Sequence, residues 1–420
     1  METEVKKERR FKLPSSSSLL KPFKGDRAIW IIFFFLTVIS LVSVFSSIGY
    51  EAVSTNRTPQ HAFFRHLEFV LVTYLVVIVF SNFDYRKLAP ASWIGYLISI
   101  VLLIATFILG RENIASGTGR FLALPGGIRF HPSEFAKIVL VVYLSRLLAL
   151  KKDELQDSKV FRNIVITILI VVGLIFPQNF SSAAIIGVIC FIMLRIAPVK
   201  ASYWRKTVLA LVIVGAFAVF LGWKYDVPIL SRAGTWVTRV DNWIHFDEQD
   251  EITQENMARM AVATGRFFGV GIGSTVQARL MTQANSDMIY SIIVEETGMF
   301  GGIIVFLLYL FLYIRCVRVA WGCKGYFGRL TVFGLGTTIF LQACIHMCVS
   351  VGAMPVTGQN LPLISSGGTA YLCTGMAIGI IQSVAFDGKK KALANKKEQT
   401  TQNENPDQPD DTANTEQIDI

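Results

Sequence analysis

The residues that could do chemistry fall in three polar segments that interrupt an otherwise apolar sequence. The first segment ends at Glu134 and Lys137, where an apolar run begins. Because these two residues are three positions apart, they share one face of a helix. Charges at the start of a membrane span are costly and usually face a cavity or a partner. The pair is therefore either the charged wall of an outward-facing cavity or a structural ion pair.

The second segment places Asp287 directly before another apolar run. A carboxylate at this position can serve as a general base, or it can cap the helix that follows. Asn285 and Ser286 already offer capping side chains, so Asp287 is not needed for that role.

The same segment contains Gly269, Gly271 and Gly273, a glycine pattern that is weak evidence for phosphate binding. Without a preceding strand the pattern does not indicate a dinucleotide fold. It predicts a tight turn at which the backbone approaches another helix. Glu295 and Glu296 follow in the apolar run, and at least one of them has to point away from lipid.

The third segment, 354–368, contains Pro355 and Pro362 together with several glycines, which break helix. Irregular backbone at membrane depth is tolerated only where protein or a water-filled cavity covers it. The segment is therefore expected to be a re-entrant or cavity-lining loop. All three segments fall on the same side of the membrane in the topology given below.

Arginines on that side are candidate anion ligands. Each taken alone is more typical of a solvated surface arginine, but beside Lys137 the group indicates an anionic ligand such as a diphosphate. Its members are Arg120, Arg232, Arg239 and Arg259. The sequence has no Walker loop, no Gly-x-Ser-x-Gly elbow and no His-Glu-x-x-His, which excludes the enzymes that depend on them. His346, inside an apolar run, is interpreted as a hydrogen-bonded core histidine.

The elements that position these residues are membrane spans. Of the 420 residues 52% are hydrophobic and only 17% are charged, and the mean hydropathy is +0.50. This composition excludes a soluble, fibrous or small disulfide-stabilised protein and indicates an all-α integral membrane protein. Ten spans are predicted: 28–49, 66–82, 89–109, 134–150, 161–176, 181–197, 206–224, 288–314, 329–350 and 367–386. The six cysteines show no zinc spacing and are interpreted as small apolar side chains.

The positive-inside rule orients the spans. With the N-terminus cytoplasmic, 28 of the 40 Lys and Arg residues lie in cytoplasmic segments or at the span ends next to them. The net charge of +10 is therefore a topology signal, and no nucleic-acid partner is expected. Residues 1–27 and 388–420 are expected to be disordered cytoplasmic tails that flank a membrane domain, 28–386, and residues 225–287 form a large extracytoplasmic loop.

Two functional classes remain open from the residues alone. One is an enzyme that acts on a lipid-linked anionic substrate at the outer leaflet, and the other is a transporter or flippase for such a molecule. Polar residues clustered at one face favour the enzyme, because a transport path needs polar groups near the midplane.

Four stretches resemble the SEDS family (FtsW/RodA/SpoVE) in order and spacing. They are Gly119-Arg120, His131-Pro132-Ser133-Glu134-Phe135-Ala136-Lys137, the glycine run with Ser286-Asp287 and Glu295-Glu296-Thr297-Gly298, and Pro355 to Gly368. The resemblance covers roughly 28–386. Phe121, His131 and Ser366 depart from the family's Trp, Gln and Tyr, and Asn179 stands where the family often has Asp.

The resemblance implies a SEDS-type fold and an inverting peptidoglycan glycosyltransferase that polymerises lipid II at the outer face of the cytoplasmic membrane. Asp287 would be the catalytic base and Glu134 would orient Lys137. The substrate would be bound by Arg120, Glu134, Lys137, Arg239, Gln254, Ser365, Gly367 and Gly368. A divalent cation, Mg²⁺ or Mn²⁺, is compatible with this chemistry, and no other cofactor is required.

The resemblance also implies partners: a class B penicillin-binding protein transpeptidase and other division proteins. The chain looks more like the division branch (FtsW) than the elongation branch (RodA). The alternatives are the elongation polymerase, a lipid II flippase and a scaffold of the division complex.

Overall fold

The protein is described from a computed structural model that covers residues 23–55, 59–109, 121–124, 128–203, 254–277 and 284–404, with isolated positions between 205 and 244. Its elements in chain order are α1 Arg27–Thr55, α2 Pro59–Asn82, α3 Leu88–Leu109, β1 Leu122–Leu124, β2 Ile128–Phe130, α4 Pro132–Leu150, α5 Ser158–Ile175, α6 Phe180–Ile196, α7 Gln254–Gly265, α8 Ala284–Asp287, α9 Ile289–Gly322, α10 Tyr326–Ser350 and α11 Thr369–Glu404.

Seven of the described helices are long and apolar enough to cross a membrane: α1, α2, α3, α5, α9, α10 and α11. Two further predicted spans are also helices, but α4 carries Glu134, Lys137 and Arg146, and α6 has only 17 residues. The predicted span 206–224 lies mostly outside the described residues. The chain is therefore a multi-pass helical membrane protein.

α10 and the part of α11 up to Lys390 form the centre of the bundle, and most residues of their apolar stretches are buried. α2 and α11 approach closely because Gly375 and Gly379, one turn apart, face α2. A Cβ at these positions would lie 2.4 Å from Thr73 and 2.5 Å from Phe80. Small residues at such spacing are typical of packed membrane helices. On α2, α3 and α9 large apolar side chains point outward, as expected of surfaces that face lipid tails.

One end of the bundle is closed by charged side chains. Arg315 of α9 forms an ion pair with the buried Asp26, which directly precedes α1, and Lys389 of α11 lies 3.9 Å from the same carboxylate. Burial raises the pKa of Asp26, but the hydrogen bond and charge of Arg315 and the charge of Lys389 outweigh it, and the pKa lies below its ordinary value. Gln382 accepts from the Asp26 amide at 2.7 Å.

This packing differs from the prediction of disordered tails where the tails are described, at 23–27 and 388–404, while residues 1–22 and 405–420 lie outside the described residues. Residues 23–26 lie against the bundle, and α11 continues to Glu404 although disorder was expected from 388. Between 389 and 404 the sequence is rich in Lys, Ala, Gln and Glu and contains neither Gly nor Pro. These residues favour helix, so a helix already nucleated in the membrane continues into the segment.

A short antiparallel strand pair, which was not predicted, precedes α4. β1 pairs with β2 in the register Leu122↔Phe130. Thr369, at the start of α11, donates to the Arg129 carbonyl at 3.0 Å and accepts from the His131 amide at 3.2 Å. The strand pair thereby fixes the entry into α4, which carries Glu134 and Lys137. All six cysteines are unpaired thiols.

Candidate active site

Residues 351–368, called here the connecting loop, join α10 to α11 and are held by side chains from many parts of the chain. Thr357, Gln359 and the whole of 361–365 are buried. Helical side chains that donate to loop carbonyls include Ser40 of α1, Tyr309 of α9, and Gln342 and His346 of α10. Much of this irregular segment is therefore covered by protein, and its role as a re-entrant or cavity-lining loop stays a prediction.

Leu363 has a left-handed backbone with φ of 64°. A non-glycine residue in that region is strained by about 1–3 kcal/mol and persists only where its surroundings enforce it. Here Tyr309 donates to the Pro362 carbonyl, and Ser40 donates to the Ile364 carbonyl at 2.8 Å. The two helices thus fix the backbone on either side of Leu363.

Glu134, Lys137 and Gln342 meet at one point of the interior. Lys137 Nζ lies 3.0 Å from both carboxylate oxygens of Glu134 and 2.7 Å from Gln342 Oε1. The Lys137 side chain is 1% exposed and that of Glu134 is 14% exposed. The ion pair expected from the spacing exists, but its cation is the more deeply buried partner.

This geometry uses the full hydrogen-bonding capacity of the ammonium group. Lysine has three N–H donors, and Lys137 has three protein acceptors within 3.0 Å. Direct contact between Lys137 and a diphosphate would require one of these acceptors to be exchanged. Glu134 is the member of the pair that reaches the surface of the site.

His346 lies one turn beyond Gln342 on α10. Gln342 donates to the Asn360 carbonyl of the connecting loop, and His346 contacts the adjacent carbonyl, that of Gln359. Its Nδ1 donates to the Gln359 carbonyl at 2.7 Å, which confirms its interpretation as a hydrogen-bonded core residue. The Gln359 side chain donates to Ser182 Oγ at 2.9 Å. Asn179, where the family often has Asp, caps α6 by accepting from the Ser182 amide at 3.2 Å.

Asp287 is tied to the connecting loop through its neighbour. Ser365 Oγ donates to the Ser286 carbonyl at 2.7 Å and accepts from the Leu361 amide at 2.8 Å. Asp287 itself is half-buried and ends α8. The N-cap of α9 is Met288, so Asp287 is not the residue at the capping position of that helix.

A continuous path of hydrogen bonds and peptide bonds therefore joins Lys137 to Asp287. It runs from Lys137 to Gln342, from the Gln342 amide to the Asn360 carbonyl at 3.1 Å, and through Leu361 and Ser365 to Ser286 and Asp287. The connecting loop brings together residues that lie 150 positions apart in the sequence.

The two glycines predicted to bind the substrate stand where a side chain would clash or strain the backbone. A Cβ on Gly367 would lie 2.5 Å from Asn360 Nδ2, and Gly368 has a φ of 49° beside the Phe69 ring. Both therefore permit the turn from the connecting loop into α11.

The predicted cationic and polar ligands are spread over the site. Arg239 donates to the Val356 carbonyl at 2.9 Å and so holds the connecting loop. Gln254 begins α7 and is half-buried, and Glu255 accepts from the Val356 amide at 3.4 Å. Arg120 and Arg232 lie outside the described residues.

The glycine run forms the close backbone contact expected of it. Val270 and Gly271 donate to the carbonyls of Glu295 and Glu296 at 2.9 and 3.0 Å. A Cβ on Gly269 would lie 2.1 Å from the Glu296 carbonyl oxygen.

Both carboxylates of that pair point inward. Glu295 accepts from the amides of Val276 and Gln277 at 3.1 and 3.3 Å, and Glu296 accepts from the Gly273 amide at 3.1 Å and from Ser46. Their contacts hold the glycine turn against α9.

Among the described residues no group of three His, Cys, Asp or Glu side chains could hold a metal ion. Mg²⁺ is commonly bound by one or two carboxylates together with substrate phosphates. A cation site built by the protein alone therefore does not fit the described part of the chain.

Sequence reasoning missed Gln342, and it gave His346 and Gln359 no role in holding the connecting loop. The available signal was the spacing of Gln342, His346 and Ser350, three polar residues four positions apart in an apolar span, which places them on one helix face. Which loop carbonyls they contact could not be read from that spacing.

Comparison with known proteins identifies the family of the chain. The model of the cell cycle protein family FtsW/RodA/SpoVE matches residues 26–390. A Trichlorobacter lovleyi protein named probable peptidoglycan glycosyltransferase FtsW is 27% identical over 387 residues, 90% of this chain and 98% of its own. A Bacillus subtilis protein of the same name is 29% identical over 373 residues, 85% of this chain and 90% of its own.

Solved structures share the fold. A chain described under "Structural coordination of polymerization and crosslinking by a peptidoglycan synthase complex" aligns with a TM-score of 0.67 and 20% identity, over 87% of this chain and 98% of its own. The rod shape determining protein RodA of Thermus thermophilus aligns with a TM-score of 0.60 and 20% identity, over 86% and 97%. The chain belongs to the FtsW/RodA/SpoVE family.

Proposed function

We propose that this protein is a peptidoglycan glycosyltransferase that polymerises lipid II into glycan strands for septal wall synthesis. The observation that carries the proposal is the path from the Lys137–Glu134 pair through the connecting loop to Asp287. Relatives that cover most of the chain are named peptidoglycan glycosyltransferase FtsW, which favours the division branch.

In the proposed reaction a sugar hydroxyl of the acceptor attacks the anomeric carbon of the donor. The new bond joins that oxygen to the carbon, and the bond from the carbon to the diphosphate oxygen breaks. Asp287 accepts the hydroxyl proton as general base. The diphosphate leaves with its electron pair and needs no general acid where positive groups stabilise its charge.

The positive groups assigned to the diphosphate are Arg120 and Arg239. Lys137 is assigned no direct contact with the diphosphate, because its three N–H donors already have protein partners. Its proposed role is to orient Glu134. A substrate-borne Mg²⁺ or Mn²⁺ is compatible with the site, and no step of the reaction is assigned to it.

The proposed location is the cytoplasmic membrane, with both termini in the cytoplasm and the active site on the outer face. Arg86, Arg315 and Lys389 lie at the end of the bundle that contains Asp26. These basic residues support the proposed orientation, because positive charge is retained on the cytoplasmic side. The ion pairs Asp26–Arg315 and Arg86–Asp387 bring the ends of α1, α2, α9 and α11 together there.

The proposed partner is a class B penicillin-binding protein transpeptidase, together with other division proteins. A structural neighbour comes from a complex that coordinates polymerization and crosslinking, and this supports the proposal. A glycan strand released near a transpeptidase would be crosslinked before it diffuses away.

The test uses purified full-length protein with fluorescent lipid II. We expect the parent to form glycan polymer, with or without added transpeptidase. Asp287→Asn should lower the rate roughly 10²–10⁴-fold, the usual contribution of a general base. The matched control is Asp387→Asn, which removes a carboxylate at the opposite end of the bundle.

Two outcomes would overturn the proposal. One is polymerisation by Asp287→Asn at the parental rate. The other is a parent that forms no polymer yet moves fluorescent lipid II between the leaflets of a vesicle, which would identify a flippase.

A further inference from the structure

Gln342 is a buried amide to which the proposed reaction gives no role. It lies in the middle of α10 and is 4% exposed, among residues that are otherwise mostly apolar. A buried amide with unmet hydrogen bonds is costly, so its partners define its function.

The two halves of this amide serve different elements. Its oxygen accepts from Lys137 Nζ of α4 at 2.7 Å, and its nitrogen donates to the Asn360 carbonyl of the connecting loop at 3.1 Å. Gln342 thereby joins α4 to this loop. The Asn360 carbonyl is one peptide bond from the Leu361 amide, which donates to Ser365.

We infer that Gln342 is a positioning residue that couples the Lys137–Glu134 pair to the connecting loop and thereby to the backbone at Asp287. This rests on the proposed function, because its effect on rate presupposes that Asp287 is the base. Gln342 does not touch substrate. It fixes the separation between the outward-facing carboxylate Glu134 and the base.

The chemistry of the amide allows its two contacts to be separated. Gln342→Glu keeps an oxygen acceptor for Lys137 but has no N–H for the Asn360 carbonyl. Gln342→Leu removes both contacts at similar side-chain size. The matched control is Thr338→Val, one turn earlier on α10, where a buried hydroxyl bonds only to the Gly334 carbonyl of its own helix.

Each purified variant is tested by three measurements: thermal unfolding, polymerisation rate against lipid II concentration, and hydrogen exchange of the loop amides 356–368. We expect Gln342→Glu and Gln342→Leu to remain folded and to lower kcat roughly 10-fold or more, since misplacement by about 1 Å can cost up to 10²-fold. KM should change less than about threefold, because the substrate contacts remain. Loop amides, including Leu361, should exchange faster in both variants and not in Thr338→Val.

The inference is wrong if Gln342→Glu polymerises at the parental rate with parental exchange, since the contact with Lys137 would then suffice. It is also wrong if both Gln342 variants fail to fold, because the residue would then be structural only. If the parent makes no polymer, the proposed function fails by itself, and hydrogen exchange still decides whether Gln342 couples the loop to α4.

Discussion

Ser365 Oγ donates a 2.7 Å hydrogen bond to the carbonyl of Ser286, the residue that precedes Asp287. The same hydroxyl accepts from the Leu361 amide, so the serine joins two backbone segments that are far apart in sequence. A residue assigned to substrate binding from its motif thus has a direct structural partner. Its contact orients the peptide that carries the proposed base.

Ser365→Ala removes a donor and an acceptor that are both buried. We expect a loss of about 1–3 kcal/mol in unfolding free energy, because two backbone groups lose their partner. Polymerisation should fall about 10-fold or more through displacement of Asp287. The control is Thr374→Val, whose hydroxyl bonds only to the Ala370 carbonyl of its own helix. Equal rates for the two variants would contradict the positioning role of Ser365.

Lys137→Met leaves the Glu134 carboxylate without its cation in a buried site. Removing one partner of a fully buried ion pair costs about 3–5 kcal/mol. Glu134 is partly exposed, so the cost should be smaller, but the thermal unfolding midpoint should still fall. Adding Glu134→Gln should recover most of the midpoint, because the unpaired charge is gone, but not the polymerisation rate. Full recovery of activity in the double variant would show that the pair serves stability alone.

Gly298→Ala tests the close approach between the glycine turn and α9. Gly298 has a φ of 72°, and a Cβ there would lie 2.2 Å from the Phe267 carbonyl oxygen. With its ψ of −174°, this positive-φ backbone is essentially restricted to glycine and costs another residue about 1–3 kcal/mol, and the clash adds to that cost. Gly187→Ala is the control, because its Cβ would meet nothing within 4 Å. The expected result is loss of folded protein in the first variant only.

Asp26 makes the stability of its end of the bundle depend on pH. Its folded pKa lies below the ordinary value of 3.8, so its contribution is present above about pH 4 and is lost as the pH falls through the folded pKa. Because Arg315 is one-third exposed and screened, the contribution should be at most about 1 kcal/mol. Asp26→Asn should lower the unfolding midpoint at pH 7, and the difference from the parent should shrink below pH 4. A constant difference down to pH 3 would argue against the ion pair.

The sequence by itself determined the membrane character of the chain, the order of the spans and the three polar segments. Span length and hydropathy are local properties, so the described helices agree with the predicted runs to within a few residues at most ends. The Glu134–Lys137 contact was also predictable, because residues three apart on a helix face each other.

The tertiary structure alone decided how the site is assembled. The contacts of Gln342 with Lys137 and of Ser365 with Ser286 join residues 205 and 79 positions apart, and no periodicity encodes them. The roles within the ion pair also depended on packing, since only burial shows that Lys137 is enclosed and Glu134 reaches the surface. The physical reason is that a buried polar group must find its partners wherever the fold brings them.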